Sequence, residues 1–180
     1  MKRQVALSAI GRDQPGIVAR LTRTLFEQGC NLEESSMTRL KGEFAILLLV
    51  TLPDGVSVSA LEAAVAPAAG ALGLTLLVRE LSPAEMRAED DSHTLPYTLV
   101  VYGADRPGIV FHVTEAAARH ALNITDLRTR VTGPAPVYSL IMELEAPGEL
   151  AVQAFRDDLQ RLKGELNVET TLEPVDAEEL

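Results

Sequence analysis

Tryptophan is absent from this 180-residue chain, and aromatic residues make up only 4% of it. Any core must therefore be packed from aliphatic side chains, with little help from ring stacking. The single cysteine, Cys30, excludes an intrachain disulfide and fits a reducing compartment. No apolar run has the length of a membrane helix; the most apolar stretch, residues 44–52, is about half of what a span requires. The N-terminus leads into a strand pattern with no small-residue cleavage site, so no secretory leader is expected and the expected location is the cytoplasm. Positive charge is scarce: 16 Lys+Arg against 26 Asp+Glu leave a net −10. Residues 1–90 carry 9 against 11 and residues 91–180 carry 7 against 15, so most of the excess lies in the second half. Phosphate neutralisation drives nucleic-acid affinity, and this balance argues against direct binding of DNA or RNA. The acidic end (Glu173, Asp176, Glu178, Glu179) reads as a solvated tail.

What is present is a repeat. Gly-Arg-Asp-Gln-Pro-Gly-Ile-Val at residues 11–18 returns 92 positions later as Gly-Ala-Asp-Arg-Pro-Gly-Ile-Val at residues 103–110, with six of eight residues identical. An asparagine follows each Asp at the same interval of 18, giving Asp13 with Asn31 and Asp105 with Asn123. The spacing divides the chain into two units of about 90 residues, a size that buries only a modest core. The expected division is a first domain over 1–81, a linker over 82–94 containing Pro83 and the acidic run Glu89-Asp90-Asp91, a second domain over 95–175, and the tail over 176–180.

Within each unit the hydrophobic period changes in the same order. Val5, Leu7 and Ala9 alternate as a half-buried strand, and Tyr97, Leu99 and Val101 repeat the pattern. A helix follows each turn. In the first, Val18, Leu21, Leu25 and Phe26 are expected inward and Gly29 ends the helix; in the second, over 109–120, Val110, Val113 and Ala117 are expected inward. Residues 31–40 and 123–132 read as polar strands, Lys41-Gly42 and the longer 133–136 as connections, and 43–51 and 137–145 as buried strands. Ser57 or Ser59 caps an Ala-rich helix running through Leu61, Val65 and Ala68 to about Leu72, matched by a helix over 148–166. Strands over 75–80 and 168–173 close the units. This β-α-β-β-α-β order predicts an α+β fold: two ferredoxin-like domains in tandem, each an antiparallel sheet with two helices on one face.

The repeated turn admits two readings. In the structural one, Pro presets the first helical turn, Gly accommodates the bend, and Asp13 or Asp105 caps the first helical N–H groups. In the functional one, those N–H groups and the helix dipole hold a carboxylate, while the Asp holds an ammonium. Asn31 or Asn123 then offers a donor and an acceptor to the same ligand. Together these groups suit a zwitterionic amino acid.

The turn, the helix and the following Gly-Cys-Asn-Leu resemble the ACT domain, a ferredoxin-like module that senses small ligands, often amino acids. Two such domains in a short chain are similar to the glycine cleavage system transcriptional repressor group. The resemblance implies a ligand between domains, at the turn of one and against a neighbour's strand. It places Asp13, Gly16, Ile17 and Asn31 in one candidate site and Asp105, Gly108, Ile109 and Asn123 in the other. The copies differ: Ala121 stands for Gly29, His112 for Arg20 and Arg106 for Gln14, so the first copy keeps the family pattern more closely.

No catalytic constellation is legible, and no metal or cofactor is expected beyond an amino-acid effector, glycine by analogy. His93, His112 and His120 have no spaced partners, and the turn lacks the features of a phosphate loop. The expected function is an amino-acid-responsive regulator, of the glycine cleavage type, acting through a protein partner. The alternatives are a regulatory subunit of a biosynthetic enzyme and a ligand-free pairing module. No membrane contact is expected; the open edges of the polar strands 31–40 and 123–132 admit pairing within the chain or across chains, the latter as a homodimer.

Overall fold

The structure, a computed structural model, describes residues 3–87, 94–133 and 137–175. The chain divides into two compact units, Met1–Asp91 and Ser92–Leu180. The first runs β1 (Arg3–Arg12), α1 (Ile17–Glu27), β2 (Asn31–Leu40), β3 (Glu43–Leu52), α2 (Val58–Ala71) and β4 (Thr75–Glu80). The second repeats it as β5 (Leu95–Ala104), α3 (Ile109–Arg119), β6 (Asn123–Thr132), β7 (Val137–Ala146), α4 (Glu149–Leu166) and β8 (Val168–Pro174). The sheets are antiparallel, ordered β2-β3-β1-β4 and β6-β7-β5-β8. Each unit is thus the ferredoxin-like βαββαβ arrangement.

Period-2 patterning puts one face of each sheet against its helices. Val5, Leu7 and Ala9 of β1 and Phe44, Ile46, Leu48 and Val50 of β3 are buried, packed with Leu21, Leu61 and Val65 of the helices. The second unit has a separate aliphatic core around Leu99, Val101, Leu140, Met142 and Phe155.

Helix phase differs from expectation in detail. Ile17, Leu21 and Leu25, four residues apart, form the buried line of α1, which turns Val18 outward and leaves Phe26 81% exposed. In α3 the buried line is Ile109, Val113, Ala116 and Ala117, with Val110 at the surface. Ala69 rather than Ala68 seals α2, whose N-cap is Ser57, accepting from the Ala60 N–H at 3.1 Å. Lys41 and Gly42 both have positive φ, as a two-residue hairpin turn demands. Both β2 and β6 carry a bulge at the same place, between Leu32 and Glu34 and between Ile124 and Asp126.

Part of the expected linker belongs to the first unit. Ser82 and Glu85 form a reciprocal capping box: the Ser82 N–H donates to Glu85 Oε2 (2.8 Å) and the Glu85 N–H to Ser82 Oγ (3.3 Å). A 3-10 turn over Glu85–Arg87 follows, and Arg79 donates to Glu85 Oε1 at 2.5 Å. His93, the acidic run Glu89-Asp90-Asp91, residues 134–136 and the tail lie outside the described residues.

Candidate functional site

Most of the repeated octapeptide is explained by backbone geometry. A Cβ on Gly11 would lie 2.8 Å from the Gly73 carbonyl oxygen, and one on Gly103 would lie 3.0 Å from that of Asn167. The connection into the last strand therefore passes too close to each for a side chain. Gly16 and Gly108 sit at φ +92° and +99°, the left-handed region open to glycine. Ile17 and Ile109 are core residues, 2% and 1% exposed, and present only their backbone to the turn. The Asp is the one repeated polar residue that geometry leaves over.

Neither Asp caps its helix. Gly16 and Gly108 are the N-cap residues, and among the described residues no side chain accepts from the first turn of α1 or α3. Those N–H groups point out of the helix end with the positive pole of its dipole, a geometry that receives a carboxylate. The Asp13 N–H instead donates to the Gly42 carbonyl at 2.8 Å, tying the turn to the β2–β3 hairpin. The Asp13 carboxylate pairs with Arg39 on β2 at 3.3 Å, and the Gln14 amide donates to the Leu72 carbonyl at 2.7 Å.

The second turn is built differently. Asp105 is exposed and has no ion pair among the described residues; Val131 occupies the place that Arg39 takes on β2. Tyr138 replaces Phe44 beside it. Burial pushes the Tyr138 phenol up from its ordinary pKa, the Asp105 charge adds to this, and a hydrogen bond with Thr129 opposes it. The acid is therefore the freer of the two, although the first copy keeps the family pattern more closely.

The asparagines are not beside these turns. Asn31 opens β2 level with Thr51 and hence with Gln4 on β1, whereas Asp13 follows the far end of β1. Nine residues of strand separate the two levels, about 30 Å. The same registers hold for Asn123, level with Glu145 and Pro96, and Asp105. The helix between them runs back along the sheet, so equal sequence spacing yields opposite ends. One ligand cannot touch both groups of a single unit. Asn31 donates to Glu33 at 2.9 Å and Asn123 to Glu145 at 3.4 Å, both exposed.

One cluster escaped the sequence reading. Asp158 on α4, 5% exposed, accepts from Arg119 (3.0 Å), His120 (3.0 Å) and Arg161. His120 thus has a partner, 38 residues away in sequence, which no local spacing announces. Arg119, Asp158 and Arg161 line a groove of about 190 Å³ between α3 and α4, together with His112, Glu115 and Glu165. Cys30 packs partly buried against the first core, and burial pushes its thiol up, away from a reactive thiolate. Among the described residues, no three His, Cys, Asp or Glu side chains are placed to hold a metal ion, and no helix is long and apolar enough to cross a membrane.

Comparison with known proteins agrees with this fold. The ACT domain family model matches residues 3–79 and again 98–173. The chain belongs to the ACT domain family, as a tandem pair. It is 30% identical over 131 residues to the glycine cleavage system transcriptional repressor of Escherichia coli, an alignment covering 73% of this chain and 66% of the relative, just under two thirds of its length. A UPF0237 protein of Methanopyrus kandleri is 36% identical over 77 residues, 42% of this chain and 86% of that one. Among solved structures, a Galdieria sulphuraria protein superposes with a TM-score of 0.83 at 27% identity, covering 98% of this chain and 100% of its own. A structure named as a glycine cleavage system transcriptional repressor superposes at 0.66 with 20% identity, covering 98% and 99%, and shares the fold. The chain is a regulatory ACT protein.

Proposed function

We propose that this protein is an amino-acid-responsive regulator that acts through a protein partner, a transcriptional regulator of the kind its glycine cleavage system repressor relative is named for. The observation that carries the reading is the pair of uncapped helix starts, each with an acid in the same turn. The N–H groups of α1 or α3 receive the ligand carboxylate, and Asp13 or Asp105 receives the ammonium. Gly16 and Gly108 shape the cradle, and Ile17 and Ile109 supply its first N–H. Asn31 and Asn123 stand at the far ends of their own sheets, so neither reaches the turn of its own unit. A net charge of −10 directs regulation to a protein partner rather than to nucleic acid.

Isothermal titration of the full chain against glycine and the other amino acids tests this reading. Saturable binding of a small amino acid, weakened in Asp13→Asn or Asp105→Asn without loss of thermal stability, is the expected result. Absence of heat with every amino acid would sink it in favour of a ligand-free module. Capture from lysate then separates the two regulatory alternatives: a transcription activator supports the repressor reading, and a biosynthetic enzyme replaces it with the subunit reading.

A further inference from the structure

The sheet face of the first unit turned away from its helices is apolar and exposed at its centre. Ile10 is 54% exposed, Leu47 53% and Leu77 63%, and a basin of about 310 Å³ lies over Ala6, Leu47 and Leu49. Contiguous apolar surface of this kind on a charged protein marks a contact surface. Register resolves the face into three rows across β2-β3-β1-β4. The rows are Glu34–Leu49–Ala6–Arg79, then Ser36–Leu47–Ser8–Leu77, then Thr38–Ala45–Ile10–Thr75. On the two central strands every row pairs one large side chain with one small: Leu49 with Ala6, Leu47 with Ser8, Ile10 with Ala45.

We infer that this face docks on the same face of a second copy of the chain, about a two-fold axis parallel to the strands and midway between β1 and β3. Such an axis keeps each row level and lays β3 over the second copy's β1 and β2 over its β4. Leu47 then sits on Ser8 of the second copy, Leu49 on Ala6 and Ile10 on Ala45, so large side chains meet small ones throughout. At the rim Glu34 meets Arg79 of the second copy, twice by symmetry; Arg79 holds Glu85 on its own chain and keeps further donors free. Aligned sheet-on-sheet packing supplies the spacing. Four strands over three rows present roughly 400 Å² of face per copy, below the standard size of stable interfaces, which makes a weak dimer that dissociates on dilution.

The second unit's open face does not offer the same match. Its corresponding row is Asp126–Glu143–Thr98–Glu173, and a two-fold there lays Asp126 on the second copy's Glu173 and crowds six carboxylates into one layer. Placing that row against an apolar face instead strips water from its carboxylates.

Sedimentation velocity of the full chain from micromolar to millimolar concentration tests the inference. The wild type shifts from monomer to dimer, and Leu47→Asp weakens association at least ~100-fold by burying two unpaired carboxylates. Ile141→Asp, at the corresponding exposed position on β7, leaves association unchanged. Glu34→Arg alone weakens the dimer, and Glu34→Arg combined with Arg79→Glu restores it. Circular dichroism confirms folding, and Leu77→Asp on the exposed end of the second row substitutes if Leu47→Asp unfolds. A wild type that stays monomeric throughout, a Leu47→Asp or Leu77→Asp protein that dimerises like wild type, or equal loss in Ile141→Asp overturns it.

Discussion

The two strand-to-helix turns share six residues of eight and still present different chemistry. In the first, Arg39 neutralises Asp13, Gln14 fastens the turn to the end of α2, and the hairpin carbonyl of Gly42 holds the Asp13 backbone. In the second, Asp105 makes no ion pair among the described residues, and a phenol stands where the first has Phe44. The helix ends differ as well. Gly29 and Ala121 occupy the same left-handed position, φ +70° and +56°, and close the same bonds back to the helix. The second unit therefore carries a strain of about 1 kcal/mol that the first does not. Duplication preserved the backbone constraints and let the side chains around them diverge.

The comparison can be broken most forcefully at the cores. Phe155, fully buried in the second core, has no aromatic counterpart in the Ala-rich α2. Phe155→Ala is expected to cost the second unit about 3–5 kcal/mol and to leave the first unit's core intact, read as an early separate transition in calorimetry. Next come the close-approach glycines. Gly11→Ala forces a Cβ to 2.8 Å from a backbone oxygen and is expected to cost about 1–3 kcal/mol, more than Gly103→Ala at 3.0 Å; urea melts of the two variants rank them.

Ala121→Gly works in the opposite direction. It releases the left-handed strain and is expected to stabilise the second unit by up to about 1 kcal/mol, less the extra flexibility glycine gives the unfolded chain. Arg39→Ala sharpens the contrast between the turns with little stability change, within about 0.5 kcal/mol for so exposed a pair. It leaves Asp13 as free as Asp105, so titration should show the two turns approaching equal affinity for an amino acid. The smallest effect is at Glu85, whose carboxyl is held at a pKa of about 2 by the Ser82 N–H and hydroxyl and by Arg79. Its folded-state pKa lies below the ordinary carboxylate value, so its contribution is present above that value and is lost as pH falls towards 2. A carbon-detected NMR titration should find Glu85 titrating well below the exposed Glu residues, and Glu85→Gln should remove that acid-dependent loosening of residues 82–87.

The fold was legible because repeat and period agree. Alternation over Val5–Leu7–Ala9, helical spacing after each turn and the Lys41-Gly42 hairpin each point to the same element order. Individual faces were less so: Val18 and Phe26 share the apolar character of Leu21 and Leu25, and only packing selects which line of α1 turns inward. The candidate site was legible as a list of residues rather than as an arrangement. Asp13 and Asn31 look like partners because their interval repeats, yet that interval is one helix long and separates them by the length of the sheet. The Asp158 cluster was invisible because its members come from two helices and share no motif.

The sequence by itself determined that the chain is two copies of one βαββαβ unit and where each turn falls, because period, turn chemistry and duplication are local properties of the chain. Tertiary structure alone decided that neither Asp caps its helix, that one is neutralised by Arg39 and the other is not, and that each Asn stands about 30 Å from its Asp. The reason is physical: charge pairing, burial and distance depend on which strands become neighbours, and strand order is set by packing the whole unit at once.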